Sequence, residues 1–301
     1  MKPDWITRAI GRHLVNLPAS AKLSETYTLN KVKIEPLLIR NHQHFEYIVD
    51  MREAELKNTL HRKRKEAMFI ELIKHPNGSV TLVSWSDPAS EELYIFDTYF
   101  QIGTKAIKYS GDVDPDIKQK ILDHHGRLSQ EWRELKPGEI PEGTGFVAGD
   151  VMLVDKRFNL EDWSLSARFA GKPDVNFIMY GFARRTVKPG LRERAGGATG
   201  FLAGVLTGKS TLRSRAHPVG PIEGDEILMA ATQNGRRSYG FKWEAPGKAS
   251  SLAEPYLIAD LTDGIQDPEA AGPTSFKDDD EALALWDEII DSIRLRPGAA
   301  G

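Results

Sequence analysis

The chain has 301 residues, 40% of them apolar and 28% charged, with a net charge of −3, a globular composition long enough for two cores and without the basic footprint of a nucleic-acid binder. It contains no cysteine, which excludes disulfides and thiolate metal sites. No apolar run approaches the roughly 18–20 residues that a membrane-spanning helix needs.

Met1-Lys2-Pro3-Asp4-Trp5 is followed by no apolar core of about 7–15 residues and does not read as a secretory signal. Thr26 to Leu38 alternates through Tyr27, Leu29, Val32 and Ile34, predicting strands interrupted at Asn30-Lys31. Phe45, Ile48, Val49, Leu56 and Leu60 fall at helical spacings, predicting a helix over 45–60. Ala67 to Ile73 and Val80 to Trp85 read as a hairpin about Pro76-Asn77-Gly78, and Tyr94 to Phe100 as a strand with Thr104 to Tyr109 as its partner. Asp114-Pro115 opens a predicted helix whose face carries Ile117, Ile121, Leu128, Trp132 and Leu135, ended by Pro137-Gly138. His124 and His125 are expected on its partly exposed flank.

Leu135 to Gly145 holds two prolines and three glycines and reads as the linker, with a boundary near 142. Beyond it, Trp163, Leu165, Ala167 and Phe169 alternate, and Val175, Phe177 and Met179 alternate again after a turn at 171–174. Ala195 to Leu206 is rich in small residues and reads as a short helix closed by Gly208. Asn234-Gly235 between Ile227–Gln233 and Arg236–Trp243 is a strong hairpin signal, and Pro255 to Leu261 predicts another strand. In the terminal helix, apolar residues at 282, 285, 286, 289, 290 and 293 form one stripe. Ser275 is its expected N-cap, and Arg294 and Arg296 stand at its C-terminal end before Pro297. Strand runs interspersed with single helices predict an α+β fold of two domains, residues 1–142 and 143–301, each an antiparallel sheet packed with helices.

Chemical motifs are scarce. Ala203-Gly204-Val205-Leu206-Thr207-Gly208-Lys209-Ser210-Thr211 approaches a phosphate-binding loop, but Ala203 stands where glycine must let backbone amides curl round phosphate. His42 and His44 lie two apart and His124 and His125 are adjacent, spacings that do not place two ligands on one helix face. There is no Gly-x-Ser-x-Gly elbow. The run His61-Arg62-Lys63-Arg64-Lys65 reads as a solvated helix end. No catalytic, metal-binding or cofactor-binding residue is expected. Arg184, Arg185, Arg192, Arg194, Arg213 and Arg215 bracket the glycine-rich segment and are the expected partner-binding residues, since an arginine-rimmed loop suits protein docking. Charge reversal at Arg213 and Arg215 is expected to weaken docking without lowering the melting temperature.

Seven phrases resemble one known family in order and position. They are Gly11-Arg12-His13-Leu14-Val15-Asn16-Leu17-Pro18, Gly143-Thr144-Gly145-Phe146, Arg168-Phe169-Ala170-Gly171-Lys172-Pro173-Asp174-Val175, Gly224-Asp225-Glu226, Gly240-Phe241-Lys242-Trp243-Glu244-Ala245-Pro246-Gly247-Lys248, Thr274-Ser275-Phe276-Lys277-Asp278-Asp279-Asp280-Glu281 and Ala282-Leu283-Ala284-Leu285-Trp286-Asp287-Glu288-Ile289-Ile290. The chain resembles the immunity proteins that protect bacteria from lipase effectors of the type VI secretion system. It departs from the family in two places: Val147 stands where many relatives have cysteine, and no export signal precedes the first phrase. The resemblance implies a periplasmic, non-catalytic protein that binds and inhibits a cognate secreted lipase effector, blocking substrate access or lid opening. No cofactor is implied. The alternative from the residues alone is a small hydrolase or ligand-binding protein on the same scaffold, since fold does not fix function.

Overall fold

The computed structural model describes residues 4–187, 189–194, 209–233, 235–263 and 275–300. Contacts gather into two units: Met1–Thr26 with Ile140–Thr144 and Lys156–Gly301, and Tyr27–Glu139 with Gly145–Asp155. A single cut near 142 therefore does not separate them. Trp5–Ile10 and His13–Pro18 form a hairpin that pairs with Arg294–Leu295, so the N-terminus folds with the C-terminal half. Phe146–Ala148 and Val151–Leu153 pair with each other and with Trp132–Glu134, so these later strands fold with the first half.

Strands dominate. The expected α+β class, with helices packed on each sheet, becomes a mainly β fold with few helices. The difference lies in segments whose short runs carried too little periodicity to read as strands: 5–18, 132–134, 146–153 and 209–216.

In the second unit the strand order runs from Lys22–Leu29, whose last residues belong here, through Val32–Leu37, Lys105–Val113, Ser90–Ile102 and Val80–Asp87 to Phe69–Lys74. Asn30 and Lys31 have φ of 52° and 69° between the paired residues Leu29 and Val32. The polar interruption is thus a two-residue turn with both centres left-handed, the geometry that suits the strand twist. Helix His42–Asn58, capped by Asn41, buries Phe45, Val49 and Leu56. Those residues pack with Met68, Leu82 and Tyr99. Lys118–Glu131 follows a short 3-10 turn at Pro115–Ile117, and its Leu122 packs with Val83, Phe96 and Val113.

The helix expected to reach Leu135 stops at Glu131. Trp132 turns into a strand opposite Leu153, with its indole against Phe100 at 6.4 Å. His125 is buried rather than flanking. Its Nδ1 bonds the Thr98 hydroxyl (2.7 Å), which joins Thr81 (2.9 Å) and then His75 Nε2 (2.9 Å). Burial and the neighbouring imidazoles lower the pKa of His125 to about 3.

In the first unit the strand order is Lys209–Ala216, Asp225–Gln233, Arg236–Ala245, Tyr256–Asp263, Lys172–Phe182, Glu161–Phe169. Gln233 pairs with Arg236, so the two strands flanking Asn234-Gly235 form the hairpin that the sequence predicts. The terminal helix Asp279–Ile290 buries Ala282, Trp286, Ile289 and Ile290, with Phe241 edge-on to Trp286 at 5.7 Å. Its N-cap is Asp278, which accepts from the Glu281 amide at 2.9 Å, not Ser275, whose hydroxyl and amide go to Asp174. The helix ends at Ile290, before Arg294 and Arg296. Arg294 lies in the short strand beside His13–Pro18, and Arg296 is buried, donating to the carbonyls of Pro141 (2.7 Å) and Gly143 (2.6 Å).

Candidate functional site

Arg213 and Arg215 lie on the strand Lys209–Ala216, with His217 next after its end. Alternation places the three side chains on one face, and all three turn to Glu226 on the neighbouring strand, directly opposite Arg215 in register. Glu226 is fully buried. Its carboxylate accepts from Arg213 Nη2 at 3.3 Å, Arg215 Nε at 2.7 Å, His217 Nδ1 at 2.7 Å and Trp286 Nε1 at 3.1 Å. Burial alone would push this carboxyl up, but the bonds from His217, Trp286 and Arg215 outweigh it and hold the pKa at about 2.

The terminal helix supplies the outer carboxylates. Asp287 accepts from Arg213, with one contact at 3.0 Å, and Asp291 accepts from His217 Nε2 at 2.8 Å. Both imidazole nitrogens of His217 thus face carboxylates, which only accept when ionised, so the ring donates from both and is an imidazolium. The bond to Glu226, against the cost of burial, and the bond to Asp291 raise its pKa. A buried carboxylate with this many donors is a structural clasp: every acceptor site is taken by the chain itself.

The six predicted arginines do not form one cluster. Besides the pair on Glu226, Arg192 lies 3.7 Å from Asp225, and Arg194 pairs with Glu244 and donates to the Pro189 carbonyl at 2.8 Å. Asp225 and Glu244 are register partners, so the short helix Leu191–Arg194 answers two adjacent carboxylates. Arg184 lies against the rings of Phe182 and Tyr256, 4.6 Å from each centroid. Arg185 is exposed. The glycine-rich segment between them, 195–208, with its expected helix and most of the loop resembling a phosphate site, lies outside the described residues. Lys209 begins a strand.

Among the described residues no group of three or more His, Asp or Glu is placed to hold a metal. His42 and His44 sit at the start of helix His42–Asn58, where His42 lies 3.3 Å from Glu46 and His44 stacks with Tyr47. The basic run 61–65 is a turn between two short strands rather than a helix end, with His61 buried against Trp85 and Lys63 and Arg64 each 3.0 Å from Glu91.

A family model described as the Tle cognate immunity protein 4 N-terminal domain matches residues 7–130, and one for the C-terminal domain of the same protein matches 139–298. The chain belongs to the Tle cognate immunity protein 4 family. It is similar to the apo immunity protein TplEi of the type VI secretion system of Pseudomonas aeruginosa, with 34% identity, 99% of both chains covered and a TM-score of 0.92. Against the Tle4-Tli4 complex the identity is 33%, the coverage 99% of this chain and 100% of the other, and the TM-score 0.92. TplEi of the same organism in complex with an "L" peptide gives 32%, the same coverages and 0.86. A comparison with curated proteins finds no match.

The Tle cognate immunity protein 4 phrases of the sequence map onto such clasps. Arg12 of the first phrase grips buried Glu161 at 2.7 and 2.8 Å and donates to the Ala299 carbonyl. Lys172 donates to the Ser275 carbonyl at 2.9 Å and Glu281 at 2.6 Å, while Asp174 also accepts from Arg236 at 3.1 Å. Trp243 donates to the His217 carbonyl at 2.8 Å, and a Cβ at Gly224 would stand 2.7 Å from its indole, so only glycine fits there. Gly224-Asp225-Glu226 carries no local sign of the clasp in the sequence. The period-2 spacing of Arg213, Arg215 and His217 was the available signal for it.

Proposed function

We propose that this chain is the immunity partner of a type VI secretion lipase effector and inhibits it as a stoichiometric, non-catalytic binder in the periplasm, blocking substrate access or lid opening. The observation that carries this reading is the likeness over 99% of the chain to a protein solved in the Tle4-Tli4 complex, at 33% identity. Occluding a partner needs a complementary surface with a few anchoring side chains and no reactive group. Supporting this, the strongest charge cluster described here is internally satisfied and serves as scaffold. Of the arginines proposed for docking, Arg185 and the half-exposed Arg192 and Arg215 present the most surface to a partner.

The test is reconstitution with a type VI secretion lipase effector of the Tle4 kind, taken from the strain that carries this chain. Expected are a one-to-one complex with nanomolar or tighter affinity, about −12 kcal/mol, and loss of lipase activity on an ester substrate. No complex, or turnover of a small ester by this chain alone, would overturn the reading.

A further inference from the structure

In the second unit, Phe69–Lys74 is the last strand of its sheet, and no described strand pairs on its other side. The register fixes which backbone groups point outward. The His75 amide donates to the Ser79 carbonyl, and Lys74 pairs with Val80, Ile73 with Thr81, and Leu72 with Leu82. In an antiparallel ladder hydrogen-bonded and non-hydrogen-bonded pairs alternate. His75 and Ile73 therefore turn their groups inward, and Leu72 and Lys74 present N–H and C=O to the open side. At the other end the edge is closed, because the Met68 amide donates to the Thr59 carbonyl at 2.8 Å.

The side chains on this edge are apolar on both faces. The register shift between Phe69 and Glu71 marks a bulge at Ile70. The extra residue changes the parity, so Phe69 and Leu72 share the face that packs under helix His42–Asn58, while Ile70 and Ile73 share the face toward Leu122. All four are half-buried. A strand laid along this edge would extend both apolar layers and satisfy the backbone groups of Leu72 and Lys74.

Lysines rim the edge. Lys74 is exposed, Lys57 lies 5.0 Å from the Phe69 ring centroid and pairs with Glu53 at 2.6 Å, and Lys118 pairs with Glu71, so among the described residues Lys74 carries the uncompensated charge of the rim. Lysine on an edge discourages pairing with a second copy, whose own lysines would meet it. It suits a different chain that carries acidic residues. We infer that the free edge Ile70–Lys74 docks an extended, apolar segment flanked by acidic residues, contributed by the effector, as an added β-strand. This rests on the effector-binding reading above.

Hydrogen exchange on the wild-type chain tests it, with and without the lipase effector used in the reconstitution. The amides of Leu72 and Lys74 should become protected in the complex. Lys74→Pro removes an outward N–H while leaving the inward ladder intact, as prolines on edge strands do, and should weaken binding by about tenfold or more with an unchanged melting temperature. Lys74→Thr keeps the amide and should retain most of the affinity. A complex that forms without protecting these amides, or that is indifferent to Lys74→Pro, overturns the edge assignment and leaves the immunity reading standing. A dimer of this chain alone that Lys74→Pro dissolves also overturns it. Failure of any complex to form overturns both, and is seen in the binding step before exchange is measured.

Discussion

The indole N–H of Trp286 donates to Glu226 Oε2 at 3.1 Å, joining residues 60 positions apart. One is the fully buried anchor of the terminal helix, the other the buried carboxylate of a central strand. The helix is thus held by apolar packing and by a hydrogen bond to a charged acceptor, the stronger class of such bonds.

Trp286→Ala should destabilise the chain by about 3–5 kcal/mol, the usual cost of emptying a tryptophan site. Trp286→Phe keeps most of the ring volume and removes the donor, costing about 1–3 kcal/mol. Chemical denaturation followed through the terminal helix checks both. Equal effects of the two substitutions would mean the hydrogen bond carries the docking and the packing does not.

Arg213→Glu would face Glu226 and Asp287 with a third carboxylate. The sequence expectation that reversal at 213 and 215 spares stability is revised accordingly: the double reversal should lower the melting temperature by several degrees, since losing one partner of a buried pair costs about 3–5 kcal/mol. Arg185→Glu, at an exposed position, should leave melting unchanged and weaken effector binding. Thermal melts beside binding isotherms separate the two kinds of arginine.

His217 has its pKa raised by Glu226 and Asp291, so its contribution is complete below its unfolded value of about 6.5 and is lost as pH rises through the higher folded value. Glu226 has its pKa lowered to about 2; its contribution is complete above an unfolded value of about 4.3 and is lost as pH falls toward 2. The pair is strongest between these limits. His217→Gln should therefore cost more stability near pH 5.5 than near pH 9, as measured by denaturant midpoints at both. The same cost at both values would mean that the imidazolium charge does not support the clasp.

Proteolysis between Lys136 and Glu139, where Pro137 and Gly138 are exposed, should not release two separate domains. The N-terminal hairpin stays paired with Arg294–Leu295, and Trp132–Glu134 with Val151–Leu153. Nicked protein is expected to co-elute as one species on size exclusion and to split only in denaturant. Separation under native conditions would contradict the interleaved units.

Local chemistry made much of the strand pattern readable. Asn30-Lys31 marks a hairpin because few residue types enter a left-handed turn cheaply, the strands flanking Asn234-Gly235 pair as that dipeptide predicts, and the period-2 runs at 163–169 and 175–179 read as strands because one face is buried. The terminal stripe was legible for the same reason at helical period, with Ala282, Trp286, Ile289 and Ile290 buried as spaced. Other features had no local signature. Ser275 and Asp278 are both competent caps by residue type, and the choice fell to Asp278 because Asp174, 101 positions away, takes the Ser275 hydroxyl.

By itself the sequence determined periodicity, turns, the absence of thiol chemistry and, through the order of its phrases, the family. Only the tertiary structure decided that Arg213 is an internal support while Arg185 is exposed, that His125 is buried, and that the first strands complete the unit formed by the last. Those outcomes depend on which distant carboxylate, ring or strand arrives beside a residue. A charged side chain reads alike in sequence whether water or a buried Glu226 neutralises it, and long-range pairing fixes the difference through desolvation that no local pattern records.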